Sequence, residues 1–475
     1  MHSDRAKSTR VGVVVAIFVM GFAISLAVNW PGHIGYDGII QLYEGRTGVY
    51  GNWHPAIMSW MLGIADHIVP GASLFVVFDT TLLFASFLSL LWIAPKPSWA
   101  AVGVAAFCVL TPQLLIYPGT VWKDVLFAAS AIAAFVCLAL VSAWWPNGRL
   151  RFFLIVVALA FSALAALVRQ NGILAMLGAT VAVGWIAARN EPHRARVRAI
   201  FYGAGAFAIA GIMASLALVL LTTRMVGNSA TLEQIRLLQF YDVVGAVVAR
   251  PSLALDEIRS ADPGSETAIR TIGVRLYSPQ NNDPLTEPPA FGKLLDHPQS
   301  AMIPQQWFDL IVHHPLLYLK VRAGVFRWVF MAPDLNACVP DELGITADPP
   351  AELQFLGLKP RWDGRDAALD SYVRFFIGTP ILSHVTYLVL ACAVLVFLLR
   401  RRRPPDIPIA MMLISAIAFA SSFFVISIAC DYRYLLFLDI ASLASTFYVA
   451  LTTRYRSWPS KNLAPHLVVE KQAGT

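Results

Sequence analysis

Charge is scarce in this chain. Of 475 residues only 14 % are Asp, Glu, Lys or Arg while 57 % are hydrophobic, and the mean hydropathy is +0.63. An ordinary soluble domain carries about a quarter of charged residues, so that class is excluded. Cysteine is scarce too. The five present are Cys108, Cys137, Cys338, Cys392 and Cys430; three lie inside apolar runs and none has a paired spacing. Neither a disulfide framework nor a zinc site is expected from them. No His-x-x-x-His or similar ligand spacing accompanies the histidines, and no internal repeat is visible. No small-residue cleavage site precedes Asn29-Trp30-Pro31, so the first apolar run reads as a retained anchor and not a removed signal peptide.

What the chain has is apolar runs of membrane length. They fall at about 11 to 29, 72 to 94, 99 to 117, 125 to 144, 152 to 168, 173 to 188, 200 to 221, 380 to 399, 406 to 428 and 435 to 452, each near the roughly 20 residues that a bilayer needs. The expectation is an all-α polytopic membrane protein with about ten transmembrane helices. Arginines mark one side of these runs: Arg5, Lys7 and Arg10 before the first, Arg149 and Arg151 before the fifth, Arg194, Arg196 and Arg198 before the seventh, then Arg400 to Arg403, Arg454, Arg456 and Lys461. By the positive-inside rule both termini are expected in the cytoplasm, in the cytoplasmic (inner) membrane. These arginines largely account for the net charge of +7, which is then no sign of nucleic-acid binding. The run from Ala56 to Val69, about 14 residues, is short for a crossing and fits a re-entrant or interfacial helix.

This count divides the chain into an N-terminal membrane module over 1–221, an extracytoplasmic insertion over 222–379, a C-terminal membrane module over 380–453 and a cytoplasmic tail over 454–475. The insertion carries turn signals at Asp262-Pro263-Gly264 and Asn281-Asn282-Asp283-Pro284. It also has helical patterns at about Leu232 to Val248 and Trp307 to Val329, the second suited to lying on the membrane surface.

Parity then gathers five polar clusters at one face. In the first outer loop, 30–71, Tyr36, Ile39, Ile40 and Tyr43 alternate at helical spacing with Asp37, Gln41 and Glu44, which predicts a short amphipathic helix turning Asp37 to water or a cavity. An ordinary solvated helix face is the plain alternative. Asp37 and Glu44 are too far apart along a helix, at roughly 10 Å, to share one metal ion. Trp53-His54-Pro55 follows in the same loop, where Pro55 is suited to open a helix. Lys123 and Asp124 open the fourth run, where dipole and headgroup contacts offer a structural explanation. Arg169-Gln170-Asn171-Gly172 is a tight turn; its Asn-Gly needs no function, but an arginine on the outer side asks for an anionic partner. Asp431-Tyr432-Arg433-Tyr434 joins the last two runs, and Arg433 brings a planar fork suited to phosphate or carboxylate. Together one carboxylate, three cations and a histidine suit a reaction on a lipid-linked phosphate. Asp37 is expected as general base, and His54 as an orienting group. Lys123, Arg169 and Arg433 are expected to bind donor phosphate, with Gln41, Glu44, Asp124, Asn171, Asp431 and Tyr434 supporting them.

Tyr36-Asp37-Gly38, then Trp53-His54-Pro55-Ala56 after a basic-flanked first run, and Arg433-Tyr434 near the end resemble the GT-C superfamily of membrane glycosyltransferases. That superfamily includes the protein O-mannosyltransferases and the aminoarabinose transferases. The resemblance implies a GT-C-like fold and transfer of a sugar from a polyprenyl-phosphate-linked donor to an acceptor hydroxyl on an envelope glycan, lipid or protein outside the membrane. Gly38 and Ala56 stand where many relatives have a second acid and a second proline. No cofactor is required, and the missing acid leaves a divalent metal without support. A lipid-linked-sugar flippase should place ionisable residues near mid-membrane and show repeated halves. An O-antigen polymerase or ligase also acts on lipid pyrophosphate with arginines, but does not account for the early Asp37 with His54-Pro55.

Overall fold

The computed structural model describes residues 2–51, 53–94, 97–222, 230–295 and 301–452. Among these no strand forms, and three isolated bridges are the only β pairing: His33 with Thr120, Ile34 with Ile345, and Ile345 with Arg361. Helices prevail because apolar surroundings supply no partner for backbone N–H and C=O groups, which must be satisfied within the segment.

Nine helices among the described residues are long and apolar enough to cross a membrane. In chain order they are span 1 (Thr9–Asn29), span 2 (Ser73–Trp92), span 4 (Lys123–Ala143), span 5 (Gly148–Val168), span 6 (Gln170–Arg189), span 7 (His193–Leu220), span 8 (His384–Arg401), span 9 (Asp406–Ile426) and span 10 (Tyr432–Thr452). The run expected as a third straight span is instead a bent pair, Trp99–Leu110 and Pro112–Gly119, with 68° between its parts. Pro112 donates no hydrogen bond and holds Thr111 extended (φ −75°, ψ 145°), which ends the first helix. The pair still runs the length of the bundle. At one end Ser98 Oγ donates to the Ala450 carbonyl at 3.2 Å, and at the other Asn29 Nδ2 donates to the Leu115 carbonyl at 2.8 Å. Counted as one broken span it is span 3, and it brings Asn29 and Thr120 to the same end.

Spans 4 and 10 form the centre, with 94 % and 83 % of their windows buried against 11 % for span 7. Span 4 is rich in small residues, Ala128 to Ala134 around Ser130 and Ile132, so neighbouring helices approach closely. The apolar helix Ala56–Ile68, at 13 residues, is shorter than a crossing needs. It packs on Tyr36–Thr47, where a Cβ on Gly45 or Gly63 would collide with the opposite backbone. The arginine-rich turn lies at the far end: Arg401 Nη2 pairs with Asp406 Oδ1 at 2.6 Å, and Arg401 Nη1 donates to Thr452 Oγ1 at 2.7 Å.

The expected insertion separates into two parts. Its first part has its own apolar core, including Phe240, Tyr241, Val244, Phe291, Leu310 and Val325. The pattern read as one membrane-surface segment over Trp307 to Val329 is two helices, Met302–His313 and Pro315–Met331, meeting at His314-Pro315. Their inner face buries a charge. Arg322 pairs with Asp242 at 2.9 Å and donates to the carbonyls of Phe424 and Ser427, both at 2.8 Å, which fastens this part to the end of span 9. Phe308 and Leu316 remain 64 % and 81 % exposed, so only the outer face keeps the apolar character that the pattern suggested.

The second part of the insertion joins the membrane core, to which Val329, Leu335, Cys338, Leu353 and Val373 belong. Cys338 is disulfide-bonded to Cys430 across 92 positions, which corrects the expectation drawn from cysteine spacing. Spacing is informative when both cysteines lie in one local motif, and here the partners come from different modules. Further along, Ile34 N–H donates to the Gly344 carbonyl at 2.9 Å and Gly344 N–H to His33 Nδ1 at 3.0 Å. Gly344 has φ +75°, and a Cβ there would overlap the Arg361 carbonyl. These bonds lay residues 338–346 over the first loop.

Candidate functional site

The site forms where five chain segments meet at the roof of the bundle. The helix Tyr36–Thr47 begins after extended Gly35 and carries Asp37 in its first turn, where the helix dipole favours a negative charge. The 3₁₀ turn Tyr432–Leu435 opens span 10 and carries Arg433. Arg433 Nη2 donates to Asp37 Oδ2 at 2.8 Å and Nε donates to Asp431 Oδ2 at 3.1 Å. Its guanidinium stands 5.4 Å over the Trp122 ring. Nη1 is buried and has no hydrogen-bond partner among the described residues.

Behind this pair lies a second. Arg169, itself the extended residue that ends span 5, donates to Asp124 in the first turn of span 4. The Arg169 guanidinium sits 5.3 Å from the Phe423 ring and 5.2 Å from the Tyr434 ring. Asp124 Oδ2 is buried and takes no hydrogen bond among the described residues, with Arg433 Nε at 3.9 Å. Lys123 is within electrostatic reach of Asp37, Asp431, Arg169 and Arg433. It makes no ion pair or side-chain hydrogen bond among the described residues. Buried polar atoms almost always find partners, so Arg433 Nη1 and Asp124 Oδ2, a donor and an acceptor without one among the described residues, mark this place beside Lys123 as suited to a polar ligand.

The charge states follow from these contacts. Burial alone would raise the Asp37 carboxyl, but Arg433, Lys123 and His54 outweigh it and hold it well below the usual carboxylate range. Burial lowers His54 to about 4, helped by Lys123 and Arg433 and opposed by Asp37. His54 is therefore neutral at physiological pH, and its Nδ1 is buried without a partner among the described residues. Burial likewise lowers Arg169 to about 10, and Arg433 adds to the effect; it stays cationic at neutral pH.

The structure brings Asp37, His54, Lys123, Asp124, Arg169, Asp431, Arg433 and Tyr434 together. It assigns the other expected supporters to the scaffold. Glu44 is buried and accepts from Ser59 Oγ at 2.6 Å and Gly51 N–H at 2.9 Å, so it anchors the loop before the next helix. Asn171 Nδ2 donates to Ser422 Oγ at 2.8 Å and ties its turn to span 9. Gln41, one turn below Asp37, is fully buried with both amide atoms unpaired among the described residues. The polar stripe of this helix thus faces inward, and at Glu44 it is covered by the helix Ala56–Ile68 and the loop before it.

Two members of the site carried no signal in the sequence. Trp122 directly precedes Lys123, and its Nε1 donates to Glu342 Oε2 at 2.6 Å. Glu342 comes from the insertion and reaches the site because Gly344 and Cys338 on either side of it are fastened down. The cluster therefore contains Asp37, Asp124, Asp431 and Glu342 against Lys123, Arg169 and Arg433, not one carboxylate against three cations.

Compared with protein-family models, with curated proteins and with solved structures, the chain matches none. Among the described residues no group of three or more His, Cys, Asp and Glu stands where it could hold one metal ion. Asp37, Asp124 and Asp431 turn to guanidinium groups instead. Such an arrangement can take up an anion by exchanging carboxylate partners of the arginines for ligand oxygens, with Lys123, unpaired among the described residues, beside them.

Proposed function

We propose that this chain is a membrane glycosyltransferase of GT-C-like fold that moves a sugar from a polyprenyl-phosphate-linked donor to an acceptor hydroxyl on an envelope glycan, lipid or protein. The observation that carries this reading is Arg433 Nη1, a buried donor with no partner among the described residues, standing with the cation of Lys123 beside ionised Asp37 at the mouth of the membrane bundle. A phosphate on a lipid tail presents its oxygens at that depth, and charge-assisted bonds to it are roughly twice as strong as neutral ones.

In this reading Lys123 and Arg433 receive the phosphate leaving group, and its developing charge is stabilised in a poorly solvated site. Arg169 acts at one remove by holding Asp124. The Asp37 pairing suits it to orient Arg433 more than to take a proton, since a general base works best with a pKa near the operating pH. Neutral His54 offers a hydrogen bond to acceptor or phosphate. Two features favour an extracytoplasmic site in the cytoplasmic membrane. The Cys338–Cys430 disulfide lies at the site end, and disulfides persist in oxidising compartments. The Arg400 to Arg403 cluster lies at the opposite end, as positive-inside topology requires.

The test uses the purified protein in lipid nanodiscs. Undecaprenyl phosphate is expected to bind the wild type, and Arg433→Ala with Lys123→Ala to abolish that binding. Vesicles holding the protein are expected to release sugar from radiolabelled undecaprenyl-phosphate hexose or pentose onto an envelope extract. A wild-type protein that neither binds the lipid phosphate nor transfers sugar ends this reading.

A further inference from the structure

We propose that Glu342, supplied by the insertion, is the group that takes the proton from the acceptor hydroxyl, a role that rests on the transfer reading above. Of the four carboxylates in the site, three face guanidinium groups: Asp37 and Asp431 are bonded by Arg433, and Asp124 by Arg169. Glu342 makes no ion pair among the described residues. Its Oε2 accepts from Trp122 Nε1 at 2.6 Å, and its Oε1 takes no hydrogen bond among the described residues. One oxygen is thus fixed and the other is free, which is the geometry of a proton acceptor held in place.

The position is built with some care for this carboxyl. It lies in the space that a side chain on Gly35 would fill: a Cβ there would overlap Cδ and both oxygens of Glu342. Gly35 in turn immediately precedes the helix of Asp37, so Glu342 sits over the start of that helix. Gly344 bonded to His33 and Cys338 bonded to Cys430 fasten the segment on both sides. The charged groups that face Glu342 are Arg433, Asp37 and Asp431. Burial pushes its carboxyl up, Asp37 and Asp431 add to this, and Arg433 and the Trp122 bond oppose it without cancelling it. Asp37 is pushed the opposite way. Two carboxylates with environments that separate their proton affinities divide the work between a base and a permanent charge.

The step balances without any further reactant. The acceptor oxygen bonds to the anomeric carbon as its O–H bond breaks, and the proton goes to Glu342 Oε1. The bond between the anomeric carbon and the phosphate oxygen breaks, and its electron pair leaves on the lipid phosphate at Lys123 and Arg433. Glu342 later returns its proton to water.

The experiment compares wild type, Glu342→Gln and Gly35→Ala in the same vesicles and nanodiscs. Gly35 has ordinary extended backbone (φ −89°), so alanine there displaces the flexible Glu342 carboxyl and leaves the fold. Transfer is expected to fall about 100-fold or more in Glu342→Gln, within the range general acid–base groups contribute, with undecaprenyl phosphate affinity kept within about twofold. Gly35→Ala is expected to lose transfer in the same way. The wild-type rate should fall on the acid side as Glu342 takes up a proton, and that limb should be missing from the residual activity of Glu342→Gln. Transfer within about threefold of wild type in Glu342→Gln, or an unchanged acid limb, overturns the proposal while leaving the transfer reading intact. A second measurement is independent of transfer: a hydrophobic carbodiimide, which attacks protonated carboxyls, should label Glu342 ahead of Asp37 at pH 6.5. Labelling in the reverse order overturns the assignment whichever substrate is used, whereas a wild type that binds no lipid phosphate sinks the transfer reading instead.

Discussion

Arg433 donates to Asp37 at 2.8 Å although 396 positions of sequence separate them. The first residue of the site stands after span 1 and the second at the start of span 10, so the whole membrane bundle is needed to bring them together. Because Arg433 also bonds Asp431 with a different nitrogen, its fork, and not its charge alone, holds the pair. Arg433→Lys keeps the charge and loses the fork. Sugar transfer is expected to drop about 100-fold, as for removal of one preorganised donor, with the rate measured in vesicles; a variant with wild-type rate would show that charge alone suffices at this position.

Acid should weaken the fold through two buried histidines. His54 and His33 both have folded values of about 4, lowered from 6.5 chiefly by burial. The unfolded chain therefore binds these protons first. Their contribution to stability is complete above about pH 6.5 and is lost as pH falls toward 4. Removing one such group flattens the pH dependence by on the order of 2–3 kcal/mol across that window. Thermal unfolding in detergent from pH 7 to 4.5 should thus lower the midpoint of wild type further than that of His54→Gln, and parallel curves would show that His54 does not titrate as described.

The disulfide should matter for the site as well as for the fold. Breaking Cys338–Cys430 frees the segment before Glu342 from the loop before Asp431. Cys338→Ser is expected to cost about 2–4 kcal/mol, the usual range for a native bridge, read as a lower unfolding midpoint. The same loss should follow reductant treatment of wild type, with two new thiols found by mass spectrometry.

A buried network supports the turn of Arg433 from below. Asp439 Oδ2 accepts from the Tyr432 hydroxyl at 2.7 Å and Oδ1 meets His384 Nδ1 at 2.9 Å. Gln113 Nε2 donates to the same hydroxyl at 2.8 Å. Spans 3, 8 and 10 are joined in this way directly beneath Arg433. His384→Phe leaves one Asp439 oxygen buried and unpaired, which costs about 1–3 kcal/mol. Calorimetry in nanodiscs should show that loss together with weaker binding of undecaprenyl phosphate.

Much of the membrane architecture was legible without coordinates. Span 4 was expected at 125 to 144 and forms over Lys123–Ala143, and span 9 was expected at 406 to 428 and forms over Asp406–Ile426. Thr111-Pro112 bent the third span because a proline has no N–H to give, a local fact whose angular outcome depends on what packs around it. The inward turn of Gln41 and Glu44 was not legible. Their spacing defines a helix face, but only the residues lying over that face decide whether water reaches it. Glu342 was not legible either, since Pro340-Asp341-Glu342 looks like any polar loop until Gly35 and Trp122 are seen beside it.

The sequence by itself determined which segments are apolar enough to cross a membrane and which charged residues lie at their ends. It could do so because transfer into a bilayer depends on the local composition of about 20 residues. Tertiary structure alone decided which of those charges are spent on each other and which remain free. Asp37 is taken up by Arg433, Asp124 by Arg169, and Cys338 by Cys430, while Lys123 and one edge of Glu342 are left without partners among the described residues. Pairing of that kind depends on distances of a few ångströms between residues hundreds of positions apart, and no local pattern encodes it.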